Sequence, residues 1–170
     1  MYAYTSTHLG FKELTEADLP DFVAVNASNT YYLSFFEPDG SIDLERMRKE
    51  WREDSAMPGW HAVGFYRLGD GRPVGFIYFL ERHPRLGVPH IGLFMVDQRL
   101  HGQGHGTEAL NGFLEYQRTA HGWREVRIGV IAENQPAMQF WTRYGFAICG
   151  ESEMELLHGP AKILHMTRQL

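Results

Sequence analysis

Three apolar runs in the middle of the chain carry the clearest strand signal: Trp60 to Arg67, Pro73 to Arg82 and Pro89 to Val96. Turn residues bound each run, and Gly69-Asp70-Gly71 joins the first two. Leu9 to Leu14 predicts an earlier strand, Glu125 to Ala132 a later one, and Phe146 to Leu156 and Lys162 to Arg168 two more. Helical spacing lies between them. Thr15 is placed to cap a helix reaching about Asn26, with Glu16 and Asp18 in its first turn. Ser41 is placed to cap a second, highly charged helix to about Asp54. Ala109, Leu110, Phe113 and Leu114 share one face of a third, which stops near Gly122. Asn134 is placed to cap a short fourth, with Ala137, Phe140, Trp141 and Tyr144 at i, i+3, i+4 and i+7 and Gly145 closing it. The order β-α-α-β-β-β-α-β-α-β-β predicts one α/β domain, residues 1–170, with helices on the faces of a mixed sheet.

Composition narrows the class. A net charge of −5 and a pI near 6.0 leave no nucleic-acid footprint. The mild negative field favours a cationic small substrate. The single cysteine, Cys149, excludes an internal disulfide, fits a reducing compartment and is expected as a small buried apolar residue. No apolar run approaches the roughly 20 residues that span a bilayer. Met1-Tyr2-Ala3-Tyr4 lacks the basic and apolar parts of a signal peptide, so a cytoplasmic location is expected.

The candidate chemistry begins where the third central run ends. Val96-Asp97-Gln98-Arg99-Leu100-His101-Gly102-Gln103-Gly104-His105-Gly106-Thr107 places three alternating glycines before a helix. Glycine lets successive backbone N–H groups converge without a Cβ in the way, and a helix N-terminus adds its dipole. The segment is therefore suited to a phosphate or diphosphate. A P-loop requires a lysine after its glycines, and Thr107-Glu108 follow Gly106. A dinucleotide fold requires Gly-x-Gly-x-x-Gly and an acid at the end of the next strand, which here ends Ile131-Ala132.

The segment resembles the acyl-CoA-binding motif of the GCN5-related N-acetyltransferase family, Gln/Arg-x-x-Gly-x-Gly/Ala after a strand, here His101-Gly102-Gln103-Gly104-His105-Gly106. A second family signature follows downstream: Asn134-Gln135-Pro136-Ala137, then Phe140-Trp141, then Gly145-Phe146. The resemblance covers essentially the whole chain. It implies a mostly antiparallel GNAT-like sheet and acetyl transfer from acetyl-CoA to an amine on a small molecule or peptide, and it is compatible with a homodimer. It implies that Phe94, Met95 and Val96 offer a strand edge to the pantetheine arm and that His101, Gly102, Gln103, Gly104, His105, Gly106 and Thr107 hold the diphosphate. Arg99 and His105 are candidate helpers, because imidazole at position 101 carries less charge than arginine. An amide of the same strand is expected to hold the developing oxyanion. Asn134 is a cofactor contact, a helix cap, or both.

The family's general base, counted back from Val96, falls on His90, and its alternative base position on Gly129, which has no side chain to act. Strand alternation puts His90, Gly92, Phe94 and Val96 on one face, and an ordinary imidazole near 6.5 suits a base. Equally, His90 simply opens a strand after Pro89. Glu133 and Glu81 are rival bases. The family's usual acid, a tyrosine seven residues after the asparagine, is Trp141 here, whose indole N–H is no acid near neutral pH. Tyr144 is expected in the core. Tyr31 to Phe36, with Glu37 and Asp39, either lines an acceptor pocket or packs as core. No metal is expected, because His101 and His105 have no third ligand spaced to join them. A non-catalytic acyl-CoA-binding module is the alternative.

Overall fold

The computed structural model describes residues 1–170. Eight strands form one sheet in the order β1-β2-β3-β4-β5-β6-β8-β7. They are β1 (Tyr4–Thr5), β2 (Leu9–Glu13), β3 (Trp60–Arg67), β4 (Pro73–Leu80), β5 (His90–Val96), β6 (Glu125–Ile131), β7 (Ala147–Leu156) and β8 (Gly159–Gln169). Every pairing is antiparallel except β5 with β6. The helices are α1 (Leu19–Ser28), α2 (Thr30–Leu33), α3 (Leu44–Ser55), α4 (His105–His121) and α5 (Gln135–Arg143). None is long and apolar enough to cross a membrane.

The sheet separates two cores. On one face Ala109, Leu110, Phe113 and Leu114 of α4 and Trp141 of α5 pack on Ile77, Phe79, Ile91, Val96, Ile128 and Met166. On the other, Leu19, Phe22 and Val25 of α1 and Met47 and Trp51 of α3 pack on Phe76, Tyr78 and Met95. Burial of such side chains contributes about 1.5–3 kcal/mol each and fixes which face each helix covers.

Several local details depart from expectation. Residues Glu16–Asp18 form a 3₁₀ turn, and α1 starts only at Leu19, where Pro20 fits the first helical turn. Asp43, not Ser41, caps α3, accepting from the Arg46 N–H at 2.8 Å. Aspartate next to the first apolar residue outcompetes a serine two positions earlier. Part of the aromatic segment is α2, and the two-residue β1 precedes the first expected strand. Cys149 is exposed rather than buried, because β7 is the sheet's edge and nothing covers it.

The largest departure is a bulge. Tyr78 pairs with Leu93 and Phe79 with Ile91, so Gly92 is an extra residue on β5. It reverses the alternation. Ile91, Phe94 and Val96 belong to the α4–α5 side, Leu93 and Met95 to the α1–α3 side. His90 therefore lies on the face opposite Phe94 and Val96, not beside them.

Candidate active site

β5 and β6 touch only at His90↔Arg127 and Ile91↔Ile128, then diverge. The bulge at Gly92 bends β5 away just past the last contact. Asp97 gives its N–H to Val74 of β4 at 2.8 Å. Alternation then turns the amides of Val96 and Phe94 the other way, into the cleft between the parted strands. Met95 turns its amide toward β4 and its side chain into the α1–α3 core, so its main chain is not part of the free edge. Phe140 and Trp141 pack against the Phe94 ring at 5.6 and 5.7 Å between centroids.

The glycine loop opens at the mouth of this cleft. Gly102 and Gly104 have φ of 75° and 86°, the left-handed region in which a Cβ is strained. Gly104 is the N-cap of α4 and supplies no side-chain cap, so the first-turn amides at His105, Gly106 and Thr107 are left for a ligand. Below the loop, buried Asp97 accepts from the Arg99 main-chain N–H at 3.0 Å and from its Nε at 2.9 Å. The Arg99 guanidinium holds the Asp97 carboxyl below the usual carboxylate range. Arg99 thus pairs with Asp97 while its side chain stays largely exposed.

His101 does not face the glycines. Its Nε2 lies 3.1 Å from the carbonyl oxygen of Val96. The same oxygen accepts from Nδ2 of buried Asn29 at 2.9 Å. Gln103 donates to the Arg99 carbonyl at 3.0 Å. Thr107 Oγ1 and the Tyr144 hydroxyl are hydrogen-bonded, which places Tyr144 at the loop end of the cleft. Asn134 caps α5 with its Oδ1, 3.2 Å from the Ala137 N–H. Trp141 is only 8% exposed and packs on Phe94 and Phe146.

The α2 segment crosses the opening on the α1–α3 side. Asn29 ties its start to β5, the Tyr31 hydroxyl donates to the Glu133 carbonyl at 3.1 Å, and the Leu157 N–H donates to the Phe35 carbonyl at 3.2 Å. One short segment therefore joins both lips of the cleft and the β7–β8 hairpin. Sequence reasoning missed Asn29, since nothing local marks an amide that bonds 67 residues away.

His90 sits half-buried where the strands part, its ring 5.2 Å from that of His83. Burial, then His83 and His165, push it down to about 4, so it is not the ordinary imidazole expected from the sequence. Glu81 pairs with His61 at 3.4 Å, and Glu133 lies beyond β6, exposed. No group of three or more His, Cys, Asp or Glu side chains is arranged to hold a metal ion.

The sequence pattern of the acetyltransferase (GNAT) domain matches residues 8–147. The chain belongs to the GNAT acetyltransferase family. Solved structures of similar fold include an acetyltransferase from Thermus thermophilus, 22% identical over 100% of both chains with a TM-score of 0.77. A GNAT-family acetyltransferase from Bacillus anthracis is 14% identical over 97% of this chain and 96% of its own, with a TM-score of 0.76. A variant of the spermidine N-acetyltransferase SpeG from Vibrio cholerae is 13% identical over 96% and 95%, with a TM-score of 0.73. No curated protein matches the chain in sequence. In this GNAT domain the strand that parts from β6, the glycine loop and the start of α4 follow one another directly along the chain.

Proposed function

We propose that this chain moves an acetyl group from acetyl-CoA to a primary amine, by direct transfer in a ternary complex, residues 1–170 acting as one cytoplasmic catalytic domain. The observation that carries the reading is the parting of β5 and β6 after only two paired residues, with the amides of Phe94 and Val96 turned into the gap. An extended pantetheine arm offers the amide groups such an edge lacks. Gly102, Gln103, Gly104, His105, Gly106 and Thr107 surround the diphosphate, with His101 and Asn29 fixing the strand end beneath it. The NH₂ of Asn134 is left for the cofactor while its oxygen caps α5. A backbone amide of β5 next to the bulge polarises the thioester carbonyl and holds the negative charge that develops on its oxygen.

The acceptor enters from the α1–α3 side, where α2 bridges the lips. Its ammonium must lose a proton before the nitrogen has a lone pair to attack with. His90 is the nearest imidazole to the point of divergence and, kept uncharged at neutral pH, repels no incoming cation. The thiolate leaves without tyrosine's help, since a thiol is itself a fairly strong acid of pKa about 8.5.

Buried Trp141 at the usual acid position favours a second reading, a non-catalytic acyl-CoA-binding module. Incubation with acetyl-CoA, a panel of amines and a thiol reagent separates the two. Amine-dependent thiol release supports transfer. Calorimetric binding of CoA without any thiol release supports the binding module, and no heat with CoA at millimolar concentration rejects both.

A further inference from the structure

A bare strand position lies on β6 beside the point where β5 and β6 part. Gly129 of β6 is exposed, and its register partner on β8 is His165. Val126, Ile128 and Val130 point into the α4–α5 core, so Gly129 and His165 face the other side, the side His90 faces. A Cβ on Gly129 would meet only the Ile163 Cγ2 methyl, at 3.2 Å. On its far side His165 pairs with a second glycine, Gly150 of β7, and its Nε2 lies 2.8 Å from Ser152 Oγ. Two imidazoles thus flank a bare strand position on the acceptor side of the cleft.

We infer that the space over Gly129, between His90 and His165, seats the acceptor's amino group, and that His165 is the second group to touch it. The inference rests on the acetyl-transfer reading and names the acceptor's subsite within it. A ring whose Nε2–H goes to Ser152 presents the Nδ1 lone pair, which accepts an N–H of the amine. His83 is different. Its Nδ1 already accepts the main-chain N–H groups of Arg85 at 3.2 Å and Leu86 at 3.3 Å, so it wedges His90 in place and has no lone pair to offer.

The charged neighbours are already paired or distant. Arg127, on the same face, is held by Glu125 at 3.2 Å, and Lys162 and Glu151 pair on the opposite face. Glu81 is held by His61, and Glu133 lies beyond the end of β6. A seat walled by imidazoles rather than carboxylates holds the nitrogen without raising its affinity for protons. An ammonium loses two protons on becoming an amide. One passes through an imidazole to water. The other ends on the sulfur as the new C–N bond forms and the C–S bond breaks. Two histidines share the first step, which suits His90's poor affinity for a proton at neutral pH.

Gly129→Val fills the seat at a strand position where valine is tolerated. It should lower kcat/KM for the amine by roughly 10²-fold while CoA affinity by calorimetry stays at the wild-type value. His165→Ala should lower kcat about tenfold or more, move the acidic limb of the pH profile, and regain activity with added imidazole. Amine kinetics within about twofold of wild type in either variant would overturn the inference, as would loss in His165→Ala with an unmoved pH limb and no imidazole rescue. If the wild-type protein binds CoA but acetylates no amine, the acetyl-transfer reading fails instead. Titration of amine into the CoA complex then decides the seat by NMR: a moving Gly129 amide resonance supports it, a static one removes it.

Discussion

The two sides of the cleft are built by different rules. The proposed cofactor side is one continuous stretch, from β5 through the glycine loop into α4, and would work through main-chain amides. The proposed acceptor side is gathered from Asn29, Tyr31, His90, Gly129 and His165, on five separate elements or connections, and would work through side chains or their absence. Main-chain recognition depends on φ and ψ values that glycine marks locally. Side-chain assembly depends on register between distant strands, which no local pattern records.

The difference can be broken by substitution. The largest effect is expected at Gly104, where φ is 86°. Gly104→Val strains the backbone and puts a side chain where the diphosphate is proposed to lie. CoA affinity should fall by roughly 10³-fold, an expectation anchored on several lost charge-assisted bonds. Acceptor-side resonances, such as the His165 ring, should stay in place. Next, His90→Ala should reduce turnover by about 10²-fold with cofactor affinity unchanged. Equal losses in both quantities for either variant would show that the two sides are not separable.

A third test uses pH. His90 is held at about 4 when folded, against about 6.5 when unfolded. Between those values the unfolded chain binds more protons. Its contribution is therefore fully present above about pH 6.5 and is lost as the pH falls through 4, a change of about 3 kcal/mol. Urea midpoints should drop across that window in the wild type and much less in His90→Gln. A smaller effect is expected from Asn29→Leu, which removes one donor to the Val96 carbonyl at a cost of about 1–3 kcal/mol. Because Asn29 belongs to the acceptor side but fixes the cofactor strand, its loss should raise KM for acetyl-CoA about tenfold and leave kcat within about twofold. An unchanged KM would separate the two sides more sharply than the structure does.

The same contrast explains what was legible in the sequence. The central strands, the turn at Gly69-Asp70-Gly71, the glycine loop and the αL stop at Gly122 follow from local rules, and the structure has them where the pattern put them. The Gly92 bulge was not readable, because an extra residue shows only against its β4 partner, and it moved His90 to the other face. Exposed Cys149 has the same origin, since only the strand order makes β7 an edge. The Asn29 bond and the pairing of Gly129 with His165 join residues far apart in sequence.

All of the proposed chemistry depends on the amides of Phe94 and Val96 waiting unpaired for an extended ligand. Amide hydrogen exchange at these two residues, with and without CoA, reads that state out residue by residue. Fast exchange is expected in the free protein and strong protection at both on adding CoA, with Met95 protected throughout by β4. Protection of Phe94 and Val96 that is already present without CoA, or that CoA does not change, would refute it.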